Sequence, residues 1–208
     1  MTTRVKICGI NSADALDAAV DAGADYIGFM FFPPSPRAVT PAQAAALLER
    51  RPGGPARVGL FVDPTEDDVV AALAAMRLDV LQVYGAPGRA AALRTQFGIA
   101  TWAAVGIASV SDLPSAAAGV DGLLVEAKAP PDAMLPGGNA QTFDWSILHG
   151  WTAPAPWMLA GGLTPDNVAD AIRISGAPAV DVSSGVESSR GIKDQALVQA
   201  FVTNARAG

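Results

Sequence analysis

The chain has one cysteine, Cys8, and one histidine, His149, among 208 residues. A single cysteine excludes an internal disulfide and any zinc site built on several thiolates, and a single histidine removes most other zinc ligand sets. Basic residues are scarce: 14 Lys and Arg stand against 20 Asp and Glu, a formal net charge of -6. Such an acidic surface disfavours nucleic acid and anionic membranes as partners. Half of the residues are hydrophobic, yet no apolar run approaches the ~20 residues that a membrane helix needs. The first expected strand starts at Arg4, which leaves no room for a signal peptide, so the expected location is cytoplasmic. No linker and no low-complexity run divides the chain. Its length suits one domain, residues 1–208, with a sizeable core.

What is present is alternation. Strand-like runs fall at 4–8, 26–30, 57–62, 80–84, 100–105, 122–126, 157–160 and 179–182. Helical segments are expected at 13–22, 41–50, 66–76, 88–97, 110–118, near Trp145, at 165–175 and at 194–205. Ser12 and Thr40 read as N-caps, and Pro41 suits a first helical position. Residues 129–141, rich in Pro and Gly, read as a loop. Strands alternating with helices imply a parallel sheet. An open doubly wound sheet uses the same alternation, but eight units favour closure, so the expected fold is α/β, a single-domain (β/α)8 TIM barrel.

Alternate residues of a strand share a face. Apolar Val5 and Ile7 should meet the helices, which turns Lys6 and Cys8 into the barrel. The same parity turns Gln82 and Tyr84, Leu124 and Glu126, and Asp181 and Ser183 inward, and puts Phe61 and Asp63 on one face. Polar inward residues thus gather at the carboxyl ends of strands, where barrel enzymes keep their active sites. A buried Lys6 needs a partner, and a structural ion pair is the expected one. Gly161-Gly162 follows the seventh strand and Ser183-Ser184-Gly185 the eighth. Glycine lets backbone N–H groups approach an anion, and these two loops often bind phosphate in barrels. Cys8 ends the first strand beside Gly9, and a thiolate there can act as a general base if neighbouring charge favours it. Glu126 ends the sixth strand across the barrel, placed to protonate a leaving oxygen. A base and an acid on opposite sides of one pocket suit an isomerisation. No motif for a metal or a redox cofactor is present, and none is expected to be needed.

These residues, with several others, give the chain a resemblance to the phosphoribosylanthranilate isomerase family along its whole length. The pieces are Lys6-Ile7-Cys8-Gly9, Gly28-Phe29 with Ser35-Pro36-Arg37, Val58-Gly59-Leu60-Phe61-Val62, Phe143-Asp144-Trp145 and Leu159-Ala160-Gly161-Gly162-Leu163. The last is Asp181-Val182-Ser183-Ser184-Gly185-Val186-Glu187 with Gly191 and Lys193-Asp194. The resemblance implies a barrel that catalyses the Amadori rearrangement of an aminoaldose phosphate to an aminoketose, a step of tryptophan biosynthesis. It implies Cys8 as general base at the ribose C2 and Glu126 as the acid that opens the furanose ring. It also implies Arg37 on the anthranilate carboxylate, Asp181 on the ribose hydroxyls, and phosphate at Gly161, Gly162, Ser183, Ser184 and Gly185. The implied partner is a small phosphorylated substrate, acted on by a monomer or a homodimer.

Four positions depart from the family pattern. Glu126 stands where aspartate is usual, and its carboxyl reaches about one methylene further. About 1 Å of misplacement costs on the order of 100-fold, so backbone or substrate pose should adjust. Tyr84-Gly85 stands where the family has His-Gly, which keeps a hydrogen-bonding tip in the substrate pocket without an imidazole. Gly137-Gly138-Asn139-Ala140 replaces a Gly-Gly-Thr-Gly loop, and Arg190 replaces a common proline. Two other readings remain at this point. One is another phosphosugar barrel, which would show catalytic lysines at strand ends or an aspartate base in place of Cys8. The other is a silent paralogue that binds a phosphorylated metabolite without turning it over.

Overall fold

The computed structural model describes residues 2–130 and 141–208. The loop change at 137–140 lies outside the described residues. Eight strands close into a barrel, each pairing in parallel with the next: β1 (Arg4–Cys8), β2 (Tyr26–Met30), β3 (Ala56–Val62), β4 (Val80–Tyr84), β5 (Ala100–Ile107), β6 (Gly122–Ala127), β7 (Trp157–Leu159) and β8 (Ala179–Val182). The register of β1 on β8, Arg4 opposite Ala179 and Lys6 opposite Asp181, completes the ring. Among the described residues, six α-helices cover the outside: α1 (Ala13–Asp21), α2 (Pro41–Leu48), α3 (Glu66–Ala75), α4 (Arg89–Phe97), α5 (Val168–Ser175) and α6 (Gln195–Ala207).

Local chemistry starts several of these helices. The Ser12 hydroxyl accepts the amide of Ala15, and Thr40 with Gln43 forms a capping box ahead of Pro41. Thr65 with Asp68 does the same for α3. Each cap satisfies amides that the first turn leaves without partners.

Strand parity sorts the core into two shells. Val5, Ile7, Phe29, Phe61, Leu81, Val125 and Val180 pack outward against helix residues such as Leu16, Val69, Leu93 and Phe201. Val58, Leu60, Val80, Leu124, Met158 and Ala179 fill the barrel interior together with Cys8 and Tyr84. Phe61 therefore belongs to the helix-facing side of β3, and Val58, Leu60 and Val62 are its inward residues.

Two helical expectations are corrected. Over residues 110–118 only a 3-10 turn, Val110–Asp112, forms. Pro114 cannot continue a helix, and Ala118 and Gly119 take positive φ as the chain turns into β6. The short helix expected near Trp145 is present as a 3-10 helix, Trp145–Leu148. The segment expected from Pro165 becomes regular only at Val168, because the Asn167 side chain binds back to Thr164. An unexpected antiparallel hairpin, β9 (Glu187–Ser189) with β10 (Ile192–Lys193), follows β8. Among the described residues, no helix is long and apolar enough to cross a membrane.

Candidate active site

The inward polar residues meet at the carboxyl-terminal mouth. The Lys6 Nζ donates to Asp181 Oδ1 at 2.9 Å, with the lysine fully buried. The expected ion pair is there, and Cys8, two residues along the strand on the same inward face, acts on Lys6 together with Asp181. Burial pulls the Lys6 ammonium down, Asp181 and Cys8 outweigh it, and the net direction is up. For the Cys8 thiol burial is the largest influence and pushes upward, Lys6 and Lys193 pull down, and Asp181 pushes up again. The net direction is up. On the facing wall, Gln82 Nε2 donates to the Tyr84 hydroxyl at 3.3 Å, and Glu126 lines the same cavity as Tyr84. Burial, then the nearby Glu126, Cys8 and Asp181, push the Tyr84 phenol well above its ordinary value, so it stays protonated.

Arg37 is not a solvated loop arginine. It is buried, and its Nε and one terminal nitrogen donate to the two oxygens of Glu187 at 2.6 and 2.9 Å. Glu187 also accepts from Lys193 Nζ at 2.8 Å and from the Gly191 amide at 2.9 Å. Lys193 Nζ reaches the Ser183 carbonyl at 2.9 Å, and the Ser183 hydroxyl donates to the Cys8 carbonyl at 3.2 Å. Burial pushes the Glu187 carboxyl up, but hydrogen bonds from Arg37 and Lys193 bring it down to about 2. Glu187 and Lys193 were quoted in the sequence only as parts of a motif. The signal that marks them is a pair of opposite charges on either side of the turn at Gly191.

The two loops after β7 and β8 form a backbone cradle. Gly161 and Gly162 both have positive φ, a conformation that glycine adopts without steric cost. Asn167 fixes that loop, accepting from the Thr164 amide at 2.8 Å and donating to the Gly162 carbonyl at 3.0 Å. The second loop is pressed against the first: a Cβ on Gly185 would overlap the Leu163 carbonyl oxygen. Ser183, Ser184 and Gly185 line one cavity with Gly161 and Gly162, and Cys8, Arg37, Tyr84, Glu126 and Asp181 line the same cavity. The fold therefore brings every expected site residue to one place. Among the described residues, no three His, Cys, Asp or Glu side chains converge as a metal site. Thiol, carboxyl, guanidinium and amide cradle together can move protons on a small, doubly anionic molecule held at both ends.

Comparison with known proteins agrees with this chemistry. The family model for N-(5'-phosphoribosyl)anthranilate (PRA) isomerase matches residues 5–204. The N-(5'-phosphoribosyl)anthranilate isomerase of Granulibacter bethesdensis is 53% identical over 207 residues, covering 99% of each chain. That of Rhodospirillum rubrum is 54% identical over 215 residues, again covering 99% of each. Among solved structures, a dimeric phosphoribosylanthranilate isomerase from Thermotoga maritima, crystallised as monomers, superposes with a TM-score of 0.83 at 32% identity, covering 99% of this chain and 100% of that one. A phosphoribosylanthranilate isomerase in complex with reduced 1-(o-carboxyphenylamino)-1-deoxyribulose 5-phosphate gives 0.83 at 30% identity with the same coverage. Barrel, mouth chemistry and full-length similarity converge: the chain belongs to the N-(5'-phosphoribosyl)anthranilate isomerase family.

Proposed function

We propose that this chain rearranges N-(5'-phosphoribosyl)anthranilate to 1-(2-carboxyphenylamino)-1-deoxyribulose 5-phosphate with Cys8 as base and Glu126 as acid. The observation that carries the assignment is their placement: a thiol at the end of β1 and a carboxyl on β6 line one cavity, beside a glycine cradle and a buried arginine. The substrate phosphate sits on the amides around Gly161, Gly162 and Ser183 to Gly185, with the Ser184 hydroxyl as a further donor. The anthranilate carboxylate docks on Arg37, whose orientation Glu187 sets. Asp181, steadied by Lys6, accepts from the ribose hydroxyls. The Tyr84 phenol, protonated at neutral pH, donates within the pocket and steadies Glu126.

The proton movements follow from those positions. Glu126 gives its proton to the furanose ring oxygen as the C1–oxygen bond breaks, and the anthranilate nitrogen lone pair forms the C1=N bond of a protonated Schiff base. The Cys8 thiolate then takes the C2 proton. The C2–H electrons become the C1=C2 bond, and the C=N electrons return to nitrogen to give an enolamine. Loss of the C2 hydroxyl proton and protonation at C1 yield the aminoketose. The reaction is isomeric, and no electron leaves or enters.

The test is turnover of freshly generated phosphoribosylanthranilate, followed by the change in anthranilate-type fluorescence. Cys8→Ala and Glu126→Gln are each expected to reduce kcat by about 100- to 10,000-fold, the range of a general base or acid. Near-native turnover by Cys8→Ala would remove the thiol from the mechanism.

A further inference from the structure

The hairpin of β9 and β10 takes no part in closing the barrel, yet it delivers two charges that solvent scarcely touches. The side chains of Glu187 and Lys193 are 4% and 1% exposed. Buried charges are costly unless matched, so the charge balance around the mouth is informative. Lys6 is matched one to one by Asp181. Arg37 and Lys193, by contrast, share the single carboxylate of Glu187. The remaining acceptors of Lys193 are neutral, the carbonyl and hydroxyl of Ser183 at 2.9 and 3.4 Å. Among the described residues, Glu187 is thus the one charged hydrogen-bond partner of both Arg37 and Lys193, and burial draws the Lys193 ammonium below its ordinary value against the pull of Glu187. Ser183 ties that cluster to β1, because its hydroxyl donates to the carbonyl of Cys8.

We infer that Lys193, held by Glu187 and Ser183, is a positioning residue for the reaction: its buried ammonium group, tied through Ser183 to the carbonyl of Cys8, offsets part of what opposes ionisation of the Cys8 sulfur for proton removal. The inference rests on Cys8 being the base. It also gives the hairpin a purpose, since one carboxylate at its start orients both the arginine at the substrate's carboxylate end and the lysine at its reacting end. The groups around Cys8 are Lys6 on its own strand, Asp181 on β8, Tyr84 on β4, Glu126 on β6 and Lys193 on β10, with Arg37 and Glu187 beyond. Burial and Asp181 oppose ionisation of the thiol, whereas Lys6 and Lys193 favour it. Lys6 is already committed to Asp181, which leaves Lys193 as the charge that can be removed without stranding a lone carboxylate.

The experiment uses the fact that Cys8 is the only cysteine, so ultraviolet thiolate absorbance reports this one sulfur. Thiol titrations and pH profiles of kcat/KM are measured for wild type, Lys193→Met, Lys193→Arg and Glu187→Gln. Lys193→Met is expected to titrate about one pH unit higher than wild type, the size of a nearby opposite charge. The rising limb of its kcat/KM profile moves by the same amount. Lys193→Arg, which keeps the charge, titrates like wild type. Glu187→Gln, which removes the shared anion, titrates lower. A Lys193→Met thiol that titrates like wild type overturns the inference. So do shifts of Lys193→Met and Glu187→Gln in the same direction, which would mark damaged packing. If Lys193→Met does not fold, the sign for Glu187→Gln decides alone, downward in support and otherwise against. Failure of the underlying reading looks different: Cys8→Ala would stay active whatever the thiol titrations show.

Discussion

Arg37 shows how much one side chain depends on its anchor. Two of its nitrogens are spent on Glu187, and its guanidinium lines the cavity beside Cys8 and Asp181. A planar fork held from behind presents its free edge to a carboxylate without losing much freedom on binding. Lysine at this position would supply a point charge with neither fork. Arg37→Lys is therefore expected to raise KM about tenfold or more, with a smaller change in kcat, as steady-state kinetics would show. Glu187 carries a second prediction. Its carboxyl is brought down to about 2 from an ordinary 4.5. A carboxylate with a depressed folded value stabilises the fold above its unfolded value, and that stability disappears as pH falls through the folded one. Glu187→Gln should then be less stable than wild type at neutral pH, and the gap should narrow between about pH 4.5 and about pH 2. Denaturant midpoints measured across that range give the answer, and a gap independent of pH would deny the carboxylate its role. Arg37 was legible through the family resemblance that Ser35-Pro36-Arg37 helps to carry. Glu187 was not, because its partner lies 150 residues away and no local spacing joins the two.

Elements were legible where their chemistry is local. Thr40 with Gln43 and Thr65 with Asp68 are three residues apart and start α2 and α3. The alternation of Val5, Ile7 and Phe61 against Lys6, Cys8 and Leu60 gives the faces of the strands. Legibility ended where a local breaker or a side-chain hydrogen bond outranks propensity. Alanine-rich 115–118 reads as helical, yet Pro114 interrupts the segment and Ala118 turns with φ of 50°. Likewise Thr164-Pro165 reads as a helix start, yet Asn167 folds its amide back onto Gly162 and Thr164 and delays α5. That delay shapes the cradle, because the same side chain holds both ends of the glycine turn. Asn167→Ala would release the Gly162 carbonyl and the Thr164 amide together, at about 1 kcal/mol of stability per lost hydrogen bond. The larger consequence falls on the anion: KM for substrate should rise several-fold, and inorganic phosphate should inhibit correspondingly less. Unchanged phosphate inhibition would show that the loop needs no such anchor.

At the scale of the molecule, the barrel closes only when the first strand finds the last. The contact is made by neighbours in the β1–β8 register, among them Lys6 and Asp181, which are 175 residues apart in sequence. Eight strand–helix units made closure legible, while the pairing partner of Lys6 was not, since inward parity leaves several acids around the ring. The placement of this ion pair matters because it sits at the seam and inside the active site at once. A hydrophobic pair of similar size at the same seam would close the barrel as well or better, since desolvating two charges offsets their attraction. The proposed function accounts for keeping the charges: Asp181 lines the cavity beside Cys8, and Lys6 acts on both of them from within the barrel. The two roles can be separated. Lys6→Met leaves Asp181 buried without its partner and should cost about 3–5 kcal/mol in denaturant unfolding. Adding Asp181→Asn removes the stranded charge, so the double variant should recover most of that loss, a coupling that a double-mutant cycle reads directly. Turnover should not return with stability, because the recovered barrel has lost both the proposed ribose acceptor and a cation that acts on the thiol. A double variant as unstable as the sum of its parts would mean that the pair is not what holds the seam.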